Sequence, residues 1–193
     1  PDSPRFVAGS MGPTTKTLSV TGGATFEQLS DSYEEQTKGL LDGGVDLLLL
    51  ETSQDLLNVK AAYIGMQRAF SSLGRKVPLI ISGTIEPMGT TLAGQTIEAF
   101  YISCEHMNPL AIGLNCATGP EFMADHIRSL SELSTAAVSC YPNAGLPDEN
   151  GQYNESPSSL SKKIKQFAEK GWINLVGGCC GTTPDHIRAI KEA

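Results

Sequence analysis

Three cysteines have the spacing and the neighbours expected of a metal centre. Cys179 and Cys180 are adjacent in the run Gly-Gly-Cys-Cys-Gly, and Cys116 ends the run Gly-Leu-Asn-Cys. The chain has five cysteines, an odd number, and no sign of secretion, so we do not expect a disulfide framework. Three thiolates without an obvious fourth cysteine or histidine are typical of catalytic zinc sites, which keep one tetrahedral position open for substrate or water.

The alternative is that these cysteines are merely small buried residues, as unpaired cysteines commonly are. Adjacent residues of a strand point to opposite faces, so Cys179 and Cys180 can share a metal only where the strand has ended and the chain bends. The glycines on both sides of the pair permit such a bend, which favours the metal site. Cys104 and Cys140 lack this setting, and we interpret them as packing residues.

The elements that would position the three thiols follow one another in strict alternation. A short apolar run, a turn and a stretch with helical spacing recur six times along the chain. The predicted strands are 5–8, 45–50, 79–82, 111–114, 136–139 and 173–176. The predicted helices are 25–41, 56–72, 96–106, 121–133, 158–169 and 184–192. This alternation predicts a parallel sheet with helical crossovers, in either an open doubly wound fold or a closed barrel.

Polar or glycine-rich segments follow every predicted strand, and this distinguishes the two folds. An open sheet would concentrate such residues at one switch point, whereas all the loops of a barrel open onto one face. We therefore predict a TIM (β/α)8-type barrel, with residues 1–193 forming one partial domain. Six units instead of eight suggest that about two more units precede Pro1.

Composition restricts the classes of partner. The net charge is −7 and the pI is about 4.9, which disfavours nucleic acid and anionic membranes because like charges repel. We find no long charge-free apolar run and no signal-peptide pattern at the start, so we expect a cytoplasmic protein. A small molecule or another protein is the expected partner.

Three motifs together resemble the homocysteine S-methyltransferase family. They are Gly-Leu-Asn-Cys at 113–116, Tyr-Pro-Asn-Ala-Gly at 141–145, and Gly-Gly-Cys-Cys-Gly-Thr-Thr-Pro-Asp-His-Ile at 177–187. The likeness is greatest to the homocysteine-binding domain of the cobalamin-dependent methionine synthases. It runs from about Arg5 to the end of the chain, and it implies a zinc-bearing TIM barrel. The Asp-Gly-rich first strand with which family members open has no counterpart here.

The resemblance implies roles for residues other than the cysteines. Glu51 follows five apolar residues at a predicted strand end, where the family holds the substrate ammonium. The alternatives are a solvated loop acid or a charge at a helix N-terminus. The side-chain oxygen of Asn143 could reach the metal or the substrate. The alternative is that asparagine occurs here because it favours turns. Thr52 and Ser53 are candidates for the substrate carboxylate. Glu86, which follows the third predicted strand, is at least as well explained as a solvent-facing acid as it is as a residue that binds the substrate.

The three histidines are less well placed for metal binding. His106 falls at the end of a predicted helix, and His126 and His186 fall within helices. We therefore assign none of them to zinc.

The implied reaction is methyl transfer to homocysteine, giving methionine. A free thiol has a pKa near 8.5 and is mostly protonated at neutral pH, whereas a thiol that coordinates zinc is deprotonated. By resemblance the donor is methylcobalamin, charged from 5-methyltetrahydrofolate, and both would be delivered by cobalamin-binding and folate-binding domains of the same enzyme. We see no cobalamin-binding motif in this chain.

Three other functions stay open at this point. A cobalamin-free relative would use betaine or S-methylmethionine as the methyl donor. A metal-free barrel enzyme would bind phosphate at Gly177, Gly178 and the helix that starts at Pro184. A structural zinc or interaction module would hold its metal with four protein ligands instead of three.

Overall fold

A parallel sheet of six strands forms the centre of the computed structural model, which describes residues 3–193. The strands are β1 (Ala8–Met11), β2 (Leu47–Ser53), β3 (Leu79–Gly83), β4 (Ala111–Asn115), β5 (Ala137–Tyr141) and β6 (Leu175–Val176). The helices are α1 (Phe26–Asp42), α2 (Leu56–Leu73), α3 (Ile97–Cys104), α4 (Pro120–Leu133), α5 (Pro157–Glu169) and α6 (Pro184–Glu192). All six predicted units are therefore present.

The strands lie side by side in the same order as in the sequence, from β1 to β6. In a doubly wound sheet the spatial order of the strands reverses at a switch point. The described residues show no such reversal. Sequential parallel order is the arrangement of a (β/α)8 barrel wall, so the sheet has the topology of a barrel segment. The carboxyl ends of all six strands consequently lie along one edge.

Local signals in the sequence explain where the helices begin and end. Thr25 forms the predicted capping box at the start of α1: its hydroxyl accepts from the Gln28 N–H, and the Gln28 side chain accepts from the Thr25 N–H at 2.8 Å. Gly74 ends α2 in the left-handed conformation, with φ 62°. The predicted helix over 96–106 stops at Cys104 and continues as a 3-10 turn over Glu105–Met107, which includes His106.

Each predicted strand overlaps an observed one, but the bounds differ, as the first, second and last strands show. The first strand is Ala8–Met11 and not 5–8, because Phe6 and Val7 lie 71% and 62% exposed while pairing with β2 begins at Ala8. The second is Leu47–Ser53 and not 45–50, so it continues through Glu51. The last is only Leu175–Val176 instead of 173–176, since two residues pair with β5. An apolar run predicts a strand but does not show which of its residues pair.

The core lies on both sides of the middle strands. Every residue of β3 and β4 is buried, as expected of parallel strands that are covered on both faces. Gly113, in the middle of β4, leaves no room for a side chain, since an added Cβ would lie 1.9 Å from the Ser139 carbonyl oxygen. The close packing of β4 against β5 therefore requires glycine there.

Within residues 3–193, no helix combines the length and the apolar character needed to cross a membrane. The domain predicted over 1–193 begins with two residues, Pro1 and Asp2, that lie outside the described part of the chain.

Candidate metal and substrate site

The structure brings the three predicted cysteines together. Their Sγ atoms all lie within 4.8 Å of one another, with 3.7 Å between Cys116 and Cys180 and 4.0 Å between Cys179 and Cys180. Tetrahedral zinc with Zn–S bonds of about 2.3 Å separates its sulfur ligands by about 3.8 Å. The cluster therefore has the dimensions of a three-thiolate zinc site.

Cys116 is positioned by an unusual turn directly after β4. Its φ is 62° and that of Ala117 is 57°, so two successive non-glycine residues have left-handed backbone. Such residues are uncommon, and each costs on the order of 1 kcal/mol. The Thr118 N–H donates to the Cys116 carbonyl at 2.7 Å and closes the turn, which aims the thiol at the double-cysteine loop.

Backbone hydrogen bonds join the double-cysteine loop after β6 to the loop after β5. The Cys179 N–H donates to the Pro142 carbonyl at 2.8 Å, and the Cys180 carbonyl accepts from the Ala144 N–H at 2.9 Å. Of the three flanking glycines only Gly181 has left-handed backbone, with φ 77°, and the Tyr153 side chain packs where its Cβ would be. The chain therefore bends as predicted, and the bend lies at Gly181, directly after the two cysteines.

Burial disfavours the charged form of two of the thiols. It raises the pKa of Cys116 above its ordinary value and raises that of Cys179 to about 12. The pKa of Cys116 is raised further by the nearby Cys180 thiol. A divalent cation is the kind of partner that would keep these groups as thiolates at neutral pH.

Asn143 lies under the double-cysteine loop and is 2% exposed. Its side-chain oxygen accepts from the Cys180 N–H at 3.1 Å. This contact gives Asn143 a part in shaping the loop. Its predicted contact with the metal or the substrate stays a prediction.

Glu51, Thr52 and Ser53 are the last three residues of β2, at the same edge of the sheet as the cysteines. Glu51 is half-buried and its carboxylate accepts from the Ser10 hydroxyl of β1. Thr52 has a left-handed φ of 57°, which is an outlier for a β-branched residue, and the strand register shifts there. Ser53 is 5% exposed, and its carbonyl accepts from the Thr84 N–H.

Three polar residues at this edge of the sheet were not among the predicted site residues. Ser10 holds the Glu51 carboxylate, Asn115 contacts both Thr52 and Cys179, and the buried Tyr141 hydroxyl has no hydrogen-bond partner in residues 3–193. Asn115 and Tyr141 end β4 and β5 and pair in register. Their positions at strand ends are the only sequence signal that would have indicated them.

The remaining cysteines and histidines lie apart from the cluster. Cys104 and Cys140 are fully buried in the core, as predicted of packing residues. His186 is buried in the capping box of α6, where its Nδ1 accepts from the Thr183 N–H at 3.1 Å. None of the histidines belongs to the thiol group that the described residues form.

The fold and the site together define a class: a βα barrel segment with three thiols grouped at the carboxyl ends of its strands. The sequence matches the profile of the homocysteine S-methyltransferase family over residues 1–193. The chain belongs to the homocysteine S-methyltransferase family.

Solved structures of an enzyme from Escherichia coli, the homocysteine methyltransferase MmuM, are similar in fold. The apo form has a TM-score of 0.74 at 23% identity, and the metallated form a TM-score of 0.74 at 24% identity. Each match covers 97% of this chain. The chain spans 62% and 60% of the length of those two chains, so it corresponds to a large part of their fold.

Proposed function

We propose that this chain binds one zinc ion through Cys116, Cys179 and Cys180 and presents homocysteine as the acceptor in a methyl transfer that forms methionine. The grouping of the three thiols within 4.8 Å carries this proposal. Three ligands leave one of the four tetrahedral positions of zinc for the substrate thiol. Membership of the homocysteine S-methyltransferase family supports homocysteine as the substrate.

The neighbouring residues fit the two ends of an amino-acid substrate. Glu51 lies at the same edge of the sheet as the thiols, half-buried, with one carboxylate oxygen bonded to the Ser10 hydroxyl, and we assign it to the substrate ammonium. Thr52 and Ser53 follow it in the chain and are assigned to the substrate carboxylate. We also assign Asn143 a contact with the substrate through the remaining lone pair of its side-chain oxygen.

A bound zinc ion would supply the Lewis acid that makes the substrate thiol lose its proton at neutral pH. The sulfur lone pair then forms the bond to the methyl carbon, while the bond between that carbon and the donor breaks and its electron pair stays on the donor. The proton leaves to solvent. The protein's part is to hold the sulfur in line with the methyl group.

We further propose methylcobalamin as the donor, recharged from 5-methyltetrahydrofolate on domains outside this chain, as in cytoplasmic methionine synthases. The Gly-Thr-Thr-Pro-Asp-His and Glu-Thr-Ser-Gln-Asp runs support this assignment by their likeness to the cobalamin-dependent branch. Single-turnover assays with methylcobalamin, betaine and S-methylmethionine distinguish the donors. Methionine formed from betaine or S-methylmethionine but not from methylcobalamin would contradict it.

X-ray absorption at the zinc edge tests the central step. In the full-length protein we expect three sulfur ligands without substrate and a fourth when homocysteine is added. Replacing Cys116, Cys179 or Cys180 by serine should release the metal, while Cys104→Ser serves as the matched control. Full zinc retention in all three variants, or no new sulfur ligand with homocysteine, would overturn the proposal.

A further inference from the structure

The side chain of Asn115 connects the thiol cluster with the end of β2. Its Nδ2 donates to the Cys179 Sγ at 3.7 Å and to the Thr52 Oγ1 at 2.8 Å. Its Oδ1 accepts from the Thr52 N–H at 2.9 Å and from the Ser82 hydroxyl at 2.7 Å. One amide group therefore contacts three strand ends or loops that are far apart in the sequence.

These contacts use the full hydrogen-bonding capacity of the amide. A primary amide has two N–H donors and two acceptor lone pairs on its oxygen, and each has one partner here. Asn115 is 0% exposed, so water cannot replace a lost partner without rearrangement. A fully satisfied buried amide has one preferred orientation, because a flip would place donors against donors.

The orientation of the amide has chemical consequences at both ends. At Cys179 an N–H directed at sulfur stabilises negative charge on it, as hydrogen-bond donors to metal ligands generally do. At Thr52 two bonds hold a residue with φ 57°, directly after Glu51. The same group thus constrains a ligand of the proposed metal and the segment assigned to the substrate.

We infer that Asn115 is a positioning residue: its N–H bond orients and tunes the Cys179 thiolate, while its bonds to Thr52 fix the segment that carries Glu51. The inference rests on the proposed zinc site. It concerns a residue that binds neither the metal nor the substrate.

The test compares metal binding by the full-length wild-type protein and Asn115→Asp. Aspartate keeps both acceptor bonds and the shape, but it loses both N–H donors and, when ionised, adds a negative charge near Cys179. We expect its zinc dissociation constant to rise about 10- to 100-fold, the usual effect of removing a hydrogen bond to a metal ligand. With cobalt in place of zinc, the sulfur-to-metal charge-transfer band should shift to lower energy, because the sulfur loses a stabilising donor.

Asn174→Asp is the matched control. Asn174 is also at a strand end and its oxygen accepts from the Val138 N–H, but it lies at the opposite edge of the sheet from the thiols. We expect it to leave zinc affinity and the cobalt band unchanged. Equal affinity and an identical band in wild type and Asn115→Asp would overturn the inference, whereas a wild-type protein that binds no metal would instead overturn the proposed function.

A measurement on the wild-type protein covers the case in which Asn115→Asp does not fold. With a spin-half cadmium isotope bound, the N–H···S contact should produce a scalar coupling between the metal and the Asn115 amide proton through the Cys179 sulfur. If cadmium binds but this coupling is absent, the inference is wrong.

Discussion

The side-chain oxygen of Asn143 and the backbone N–H of Cys180 form a hydrogen bond of 3.1 Å. The bond fixes the second cysteine of the pair from the loop after β5. Removing the Asn143 side chain would take away this acceptor and the packing of a residue that is 2% exposed. This contact makes the geometry of the thiol cluster dependent on a residue 37 positions away.

We expect Asn143→Ala to lower the free energy of unfolding by about 0.5–1.5 kcal/mol, the usual net contribution of a hydrogen bond, because Cys180 is exposed. It should also weaken zinc retention against a chelator. Asn154→Ala is the control, since Asn154 lies in the same loop but is exposed, and within residues 3–193 its side chain bonds to Asp148 alone. If both variants unfold alike in a urea titration, the bond to Cys180 contributes little.

Glu51→Gln tests whether the Glu51 carboxylate binds the substrate ammonium or serves only the bond to Ser10. Glutamine keeps the size and the acceptor for Ser10 but loses the charge, so a role in binding the substrate ammonium predicts a KM for homocysteine about 10- to 100-fold higher. Zinc content should stay the same, because Glu51 is not in the thiol cluster.

Glu86→Gln is the control for this change. Glu86 follows β3 and is the other acid considered at these strand ends, and we expect its replacement to leave KM unchanged. An unchanged KM in Glu51→Gln would instead assign that carboxylate to the Ser10 bond and to stability.

The order of strands and helices could be predicted because each has its own local signal. Apolar runs indicated the buried strands, and Thr25 with Gln28 indicated the start of α1. The first strand was misplaced because Phe6 and Val7 are as apolar as a core segment, although they lie exposed. Pairing partners decide such boundaries, and a single strand does not contain that information.

The grouping of the three cysteines could be predicted because their chemistry is visible in the residue type, and their binding of a metal stays a prediction. The contacts of Asn115 could not be predicted, because its partners Ser82 and Cys179 lie 33 and 64 positions away in the sequence. Asparagine is also common in turns, so the residue type alone does not indicate such contacts. The left-handed backbone of Thr52 was also unpredictable. A β-branched residue disfavours that conformation, so only its tertiary contacts explain it.

Alkylation of the metal-free protein should distinguish Cys180 from the two core cysteines, Cys104 and Cys140. Burial raises the pKa of both Cys104 and Cys140 from 9.0 to about 12, so their thiolate fraction at pH 8 is about a thousandfold below that of an ordinary thiol. Cys180 is exposed. Because only the thiolate reacts, we expect iodoacetamide to modify Cys180 first and the other two only after denaturation.

Mass spectrometry of proteolytic fragments measures this order. Bound zinc should protect Cys180 as well, which gives an internal comparison in the same sample. Rapid native-state labelling of Cys140, which is completely buried, would mean that β5 opens far more readily than its packing indicates.

Tyr141→Phe tests the buried hydroxyl at the end of β5. Burial raises the pKa of Tyr141 to about 12, and its hydroxyl has no hydrogen-bond partner within residues 3–193. An unsatisfied buried polar group opposes folding, so its removal should leave the free energy of unfolding unchanged or raise it by about 1 kcal/mol. Tyr33→Phe is the control, because the Tyr33 hydroxyl donates to the Gly12 carbonyl at 3.0 Å and its loss should cost about 1 kcal/mol. If urea titration shows equal destabilisation in the two variants, the Tyr141 hydroxyl has a partner in the folded protein.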